Sequence, residues 1–217
     1  TRISELNLAV EAFLETLKKE MEFTYQVSII TFGTEVNLHV PPTEVNSITW
    51  QPLRASGLTP LAQALEMTHD LIGDYSQVPK RCYKPTIILL SDGAPNGKPW
   101  RSPMNVLKSE GRSQHCDRIA IGVGPEAFEG DAKEVLEEFI KGSHYNVVFE
   151  AVDAAHLSKI FDQVTMTIIE KSSRLSSVID SKQPRRAAPR IAQPKLQRTS
   201  RTIVEEETSS EEDSSEG

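Results

Sequence analysis

Thr86-Ile87-Ile88-Leu89-Leu90-Ser91-Asp92-Gly93-Ala94-Pro95-Asn96-Gly97 is the stretch on which the reading of this chain turns. Thr86 to Leu90 are apolar or β-branched and bounded by turn formers, the pattern of a strand covered on both faces in the middle of a sheet. The run stops on an acid and a glycine, so Asp92 is expected at the carboxyl end of a central strand. In open α/β sheets that edge binds ligands, at the crevice where strand order reverses. Gly93, Pro95 and Gly97 punctuate a turn that would hold the carboxylate at the rim. A lone Ser91-Asp92-Gly93 reads equally well as a cap on the next turn, and only the rest of the chain separates the two.

Upstream, Ile3, Leu6, Ala9, Val10, Phe13, Leu14 and Leu17 repeat at the spacing of an amphipathic helix that runs to Glu20. Tyr25 to Phe32 reads as a strand stopped by Gly33. Glu35 to Val40 follows as its hairpin partner at the sheet edge, ended by Pro41-Pro42. Leu61, Ala64, Leu65, Leu71 and Ile72 make the next helix, with Thr59 in the N-cap place and Pro60 at the first helical position. Downstream come a helical segment around Asn105 to Arg112, a buried strand from Arg118 to Gly124, a helix from Asp131 to Lys141, a short strand from Asn146 to Phe149, and a helix from Ala154 to about Arg174. Gly122-Val123-Gly124 looks like the start of a dinucleotide fingerprint, but the next glycine is misplaced at Gly130 and Pro125 follows at once, which argues against a nucleotide. The alternation predicts an α/β fold: a three-layer, doubly wound, mostly parallel sheet with an antiparallel edge strand.

The 217 residues suffice for one domain with a full core plus extra segments, placed here at 1–175. No apolar run approaches the roughly 20 residues of a membrane span, and no signal peptide opens the chain, so a soluble cytoplasmic protein is expected. Cys82 and Cys116 are too few and too unpatterned for a disulfide framework or a thiolate metal site. A net charge of -7 argues against a general nucleic-acid binder. Residues 176–217 differ in character: Lys182, Arg185, Arg186, Arg190, Lys195, Arg198 and Arg201 stand among prolines, and after Val204 only Glu, Ser, Thr and Asp precede Gly217. Such a segment buries too little to offset ordering entropy and is expected to be disordered, with Ser209 and Ser210 placed for acid-directed kinases.

Three pieces then line up in order: Ile29-Ile30-Thr31-Phe32-Gly33, Ser56-Gly57-Leu58-Thr59-Pro60-Leu61, and Leu90-Ser91-Asp92-Gly93-Ala94-Pro95. Over roughly residues 3–170 the chain resembles a von Willebrand factor type A domain, most similar to the bacterial TerY-like group associated with tellurite resistance and stress. The resemblance implies a divalent cation, Mg2+ or Mn2+, at the carboxyl rim in a metal-ion-dependent adhesion site. In that family an Asp-x-Ser-x-Ser loop, a threonine and an aspartate hold the ion, and by match of motif Thr59 is that threonine and Asp92 that aspartate. Hydroxyl and carboxylate oxygens suit a hard cation that keeps several waters and leaves one position for a partner's carboxylate.

The same resemblance puts the first strand and the Asp-x-Ser-x-Ser loop directly before the helix at Ile3, where this chain begins with Thr1. Three of the five expected ligands are then lacking, as is the central strand, whose five or six apolar residues at about 2 kcal/mol each rival the whole stability of a domain. The fragment is expected to be marginal unless the gap closes or a partner strand fills it.

Three functions compete. The leading one is a non-enzymatic module that recognises a protein ligand through a cation at Thr59 and Asp92, with weak metal binding because one carboxylate must offset the charge. The second is a metal-free scaffold acting through its charged tail. The third, a hydrolase using Asp92 as nucleophile or base, is the poorest, since His39, His69, His115, His144 and His156 are scattered and no nucleophile or phosphate-binding motif is present.

Overall fold

The computed structural model describes residues 2–54 and 57–182, with side chains described as far as residue 174. The chain runs α1 (Arg2–Lys19), β1 (Gln26–Phe32), β2 (Val36–Glu44), α2 (Leu61–Gly73), β3 (Thr86–Ser91), α3 (Arg101–Ser109), β4 (Asp117–Val123), α4 (Gly130–Ile140), β5 (Val148–Ala151) and α5 (Ala154–Lys182). Strands β3, β4 and β5 are parallel neighbours in that order, with Ile88 opposite Ile119 and Ile121 opposite Phe149.

Period-two alternation along β4 sorts its side chains into two cores and so fixes the three layers. Ile119, Ile121 and Val123 pack with Val10, Leu14 and Leu17 of α1 and with Leu157, Phe161 and Val164 of α5. Ala120 faces the other way, among Leu61 and Leu65 of α2, Met104 and Leu107 of α3, and Leu136 and Phe139 of α4. Helices therefore cover both faces of a parallel sheet, the arrangement that long crossovers impose.

The hairpin β1–β2 forms as its sequence predicts, but β2 does not stop at Pro41-Pro42; it continues to Glu44. Ile29 pairs with Val40 and Val27 with Thr43, which leaves both prolines opposite the single residue Ser28. That is a bulge on an edge strand, where a missing N–H breaks no ladder bond, and the Ser28 hydroxyl donates to Val40 O at 2.9 Å. Helix α3 begins earlier than expected because Trp100, Met104 and Leu107 form its buried stripe. Helix α5 runs past the expected domain end at residue 175, in keeping with the continued three-and-four spacing of Leu175, Val178 and Ile179. The remaining tail, residues 183–217, lies outside the described residues, and so does the expectation of disorder there.

One expectation needs correction. The Ile87 strand reads as central and covered on both faces, yet in β3 only Leu89 is buried, while Ile87, Ile88 and Leu90 are half-buried. The reason is topological: among the described residues β3 bonds only to β4 and β1 only to β2, so the sheet is in two parts. Between them lies a cleft of about 2190 Å³, lined by every residue of β1 and β3. The fully enclosed strand is β4, which has neighbours on both sides.

Candidate functional site

Asp92 is the first residue beyond β3, exposed at the carboxyl end of that strand as its sequence predicts. The Ser91 hydroxyl donates to Gly93 O at 3.2 Å, tightening the turn that carries the acid. Gly97 then takes a φ of 82°, a left-handed conformation that glycine adopts without strain and that turns the loop back.

Thr59 reaches the same rim from the other loop. Its backbone N–H donates to Asn96 Oδ1 at 3.1 Å, and the Asn96 N–H donates to Thr59 O at 3.0 Å. This reciprocal pair ties the Thr59 loop to the Asp92 loop, and Thr59 and Asp92 both line the cleft. A second asparagine holds the other end of the incoming segment, here through its side chain alone: Asn7 Nδ2 donates to Leu53 O at 3.0 Å and Leu53 N–H donates to Asn7 Oδ1 at 2.7 Å. The Asn7 clamp needs an amide side chain, which offers a donor and an acceptor side by side. Sequence reasoning missed both asparagines, because a polar residue on a helix and one in a turn carry no motif. Ala55 and Ser56 lie outside the described residues.

The N-cap reading of Thr59 is corrected. Pro60 holds the N-cap position, α2 starts at Leu61, and no side-chain hydrogen bond caps it. Leu61 N–H instead donates to Thr59 O at 2.8 Å. The half-buried Thr59 is thus not retained as a helix cap.

Arg2, at the start of α1, reaches Glu126 in the loop after β4 at 2.9 Å, so that helix also opens at the carboxyl rim. The donors gathered there are oxygens, which fit a hard divalent ion in kind. Their number falls short: among the described residues no group of three or more His, Cys, Asp or Glu side chains is placed to hold a metal.

Four of the five histidines have side-chain partners other than Asp92. His39 Nε2 donates to Gln51 O at 2.9 Å and the ring stands edge-on to Trp50, His69 bonds Ser113 Oγ at 2.8 Å, His144 packs on Tyr145, and His156 bonds Asp153 at 2.9 Å. Gly122 is explained by packing: a Cβ there would stand 2.6 Å from the Phe128 ring. Its glycine serves the fit of the loop after β4 to the strand.

The sequence profile of the von Willebrand factor type A domain matches residues 3–163. No curated protein matches the chain. Among solved structures, proximal thread matrix protein 1 from the mussel byssus matches with a TM-score of 0.53 and 21% identity, over 75% of this chain and 42% of that one. The form of that protein with a zinc-occupied MIDAS motif matches with a TM-score of 0.54, again at 21% identity and over 75% and 42% of the two chains. The ArnB paralog VWA2 from Sulfolobus acidocaldarius matches with a TM-score of 0.48 and 18% identity, over 72% and 38%. This chain spans about two fifths of the length of the thread matrix protein.

Proposed function

The chain belongs to the von Willebrand factor type A family, and from that premise we propose that it is a non-enzymatic protein-interaction module whose carboxyl rim, at Thr59 and Asp92, recognises a partner through a divalent cation. The observation that carries the reading is the Asn96 clamp, which brings the threonine loop and the aspartate loop to one rim. Asp92 would hold the ion through its carboxylate and Thr59 through its hydroxyl, and the ion would supply an open coordination position for an acidic group of the partner. Magnesium or manganese suits this all-oxygen set. One carboxylate offsets only part of the ion's charge, so the affinity is weak. A TerY-like role in a cytoplasmic stress or tellurite-resistance setting extends the same reading and is supported by the motif order of the sequence, while the free thiols of Cys82 and Cys116 suit a reducing compartment.

Titration calorimetry of the chain with MgCl2 and MnCl2 tests the proposal. Weak heat that disappears in Asp92→Ala supports it; heat unchanged by that substitution overturns it. A metal-free scaffold is the second reading, favoured by the lack of a third acidic or imidazole ligand among the described residues. Partner capture that survives EDTA and is lost when the chain is shortened to residue 182 would select it.

A further inference from the structure

We propose that Asn96-Gly97 is a self-modification site, at which the chain closes a succinimide ring and converts the asparagine into an acidic residue beside Thr59. No other asparagine of the sequence precedes a glycine. The ring forms when the backbone nitrogen of the following residue attacks the asparagine Cγ. Any side chain on that following residue obstructs the approach, and glycine has none.

The rim loop leaves the reacting groups free. Asn96 and Gly97 are both exposed and neither lines the cleft, so their access to water belongs to the loop itself. A Cβ built on Gly97 meets nothing within 4 Å, and the φ of 82° reserves the position for glycine. Among the described residues the Gly97 N–H donates to no acceptor, so the attacking nitrogen is not held elsewhere. Asn96 Oδ1 accepts from the Thr59 N–H at 3.1 Å, which draws electron density away from Cγ. Nδ2, the group that must leave, has no partner among the described residues.

The step needs only water and hydroxide. The Gly97 nitrogen gives its proton to hydroxide and bonds to Asn96 Cγ; the Cγ–Nδ2 bond breaks, and the amine takes a proton from water and leaves as ammonia. Water then opens the ring. Opening at Cγ gives aspartate; opening at the backbone carbonyl gives isoaspartate, in which the chain runs on through Cγ with one extra methylene. Either product adds a negative charge to the rim. In the aspartate product a carboxylate oxygen still accepts from the Thr59 N–H, now with the help of its charge. Asp92-Gly93 can close the same ring with loss of water, but an ionised carboxylate is a poor electrophile and its products have the mass of the starting chain. One consequence rests on the reading of the rim as a cation site: a second carboxylate there offsets more of the ion's charge, so binding tightens.

The full chain is held folded, without metal, in mildly alkaline and in mildly acidic buffer, and samples taken over time are digested and mapped by mass spectrometry. The peptide that contains Asn96 should gain the mass of a hydroxyl in place of an amino group, sooner than any other asparagine peptide and faster in alkali. Part of that product should accept a methyl group from S-adenosylmethionine through isoaspartyl methyltransferase. Asn96→Gln, whose cyclisation needs a larger ring, should not gain the mass. An Asn96 peptide of constant mass, conversion no faster than at Asn46, or conversion only after unfolding in urea overturns the proposal; in the last case the bond to Thr59 shields the amide. These readouts contain no cation, so they stand or fall apart from the rim reading. In calorimetry Asn96→Asp should bind MnCl2 more tightly than the parent chain; equal binding, where Asp92→Ala abolishes the heat, overturns the tightening.

Discussion

Asn96 holds the rim together through two hydrogen bonds to a single residue, Thr59. Replacing it with alanine removes the side-chain acceptor of the Thr59 N–H and leaves the backbone bond to Thr59 O, and a loss of about 1 kcal/mol in urea unfolding is expected. The same substitution should weaken the Asp92-dependent metal heat although Asn96 is no ligand, because the threonine loop is then held to the aspartate loop by one bond instead of two. Gly122 acts through what it lacks. With the Phe128 ring 2.6 Å from the place of a Cβ, Gly122→Ala overpacks the loop after β4 and should cost about 1–3 kcal/mol in the same assay. Cys116 is buried beneath the turn before β4, and burial pushes its thiol up to about 11 from an ordinary value of 9.0. Above its ordinary value the unfolded thiol loses its proton while the folded one keeps it, so the folded state then binds more protons. The contribution is complete below about pH 9 and is lost as pH rises towards 11. Urea midpoints should fall over that window, and less steeply in Cys116→Ala. The exposed Cys82 should react at once with a thiol reagent, and Cys116 only on unfolding.

Among the elements, the joint between β4 and α4 depends on one cation. Arg118 is 3% exposed and donates to Phe139 O at 2.8 Å, Lys141 O at 3.2 Å and Cys116 O at 3.3 Å. Helix α4 ends at Ile140, so two of these acceptors lie at its negative end, where a guanidinium is favoured. Burial lowers the Arg118 pKa, yet a guanidinium starts so high that it stays charged. Arg118→Met leaves buried carbonyls without a donor and should cost about 3 kcal/mol. Arg118→Lys should recover only part of this, since one ammonium cannot span the three acceptors. Its two-sided neighbour α3 is held differently: Lys108 pairs with Glu138 and also donates to Glu138 O at 2.9 Å, while Arg101 stacks on Trp100 and grips Glu134 at 2.6 Å.

At the scale of the whole domain, the cleft separates the β1–β2 hairpin from the parallel sheet of β3, β4 and β5. Strand β4 is enclosed by β3 and β5 and by helices on both faces, whereas β1 and β3 each keep an open edge. Local opening follows exposure and unpaired backbone, so native-state hydrogen exchange should be slowest in Arg118–Val123 and faster in β1 and β3. Equal protection of all three strands would contradict the split sheet. Among the described residues no helix is long and apolar enough to cross a membrane.

The order of strands and helices, the hairpin, and the placing of Asp92 at a carboxyl rim were determined by sequence alone, because apolar period and turn chemistry are local properties. The reach of β2 through Pro41-Pro42 was not, since a bulge depends on the partner strand that tolerates it. Nor did the clamp residues Asn7 and Asn96 announce themselves; their hydrogen bonds join positions far apart in the chain, and no local pattern encodes a long-range pair. The half-burial of Ile87, Ile88 and Leu90 belongs to the tertiary structure as well. A run of apolar residues states that a strand seeks cover on two faces and two edges, but only the folded chain decides which of those neighbours it finds.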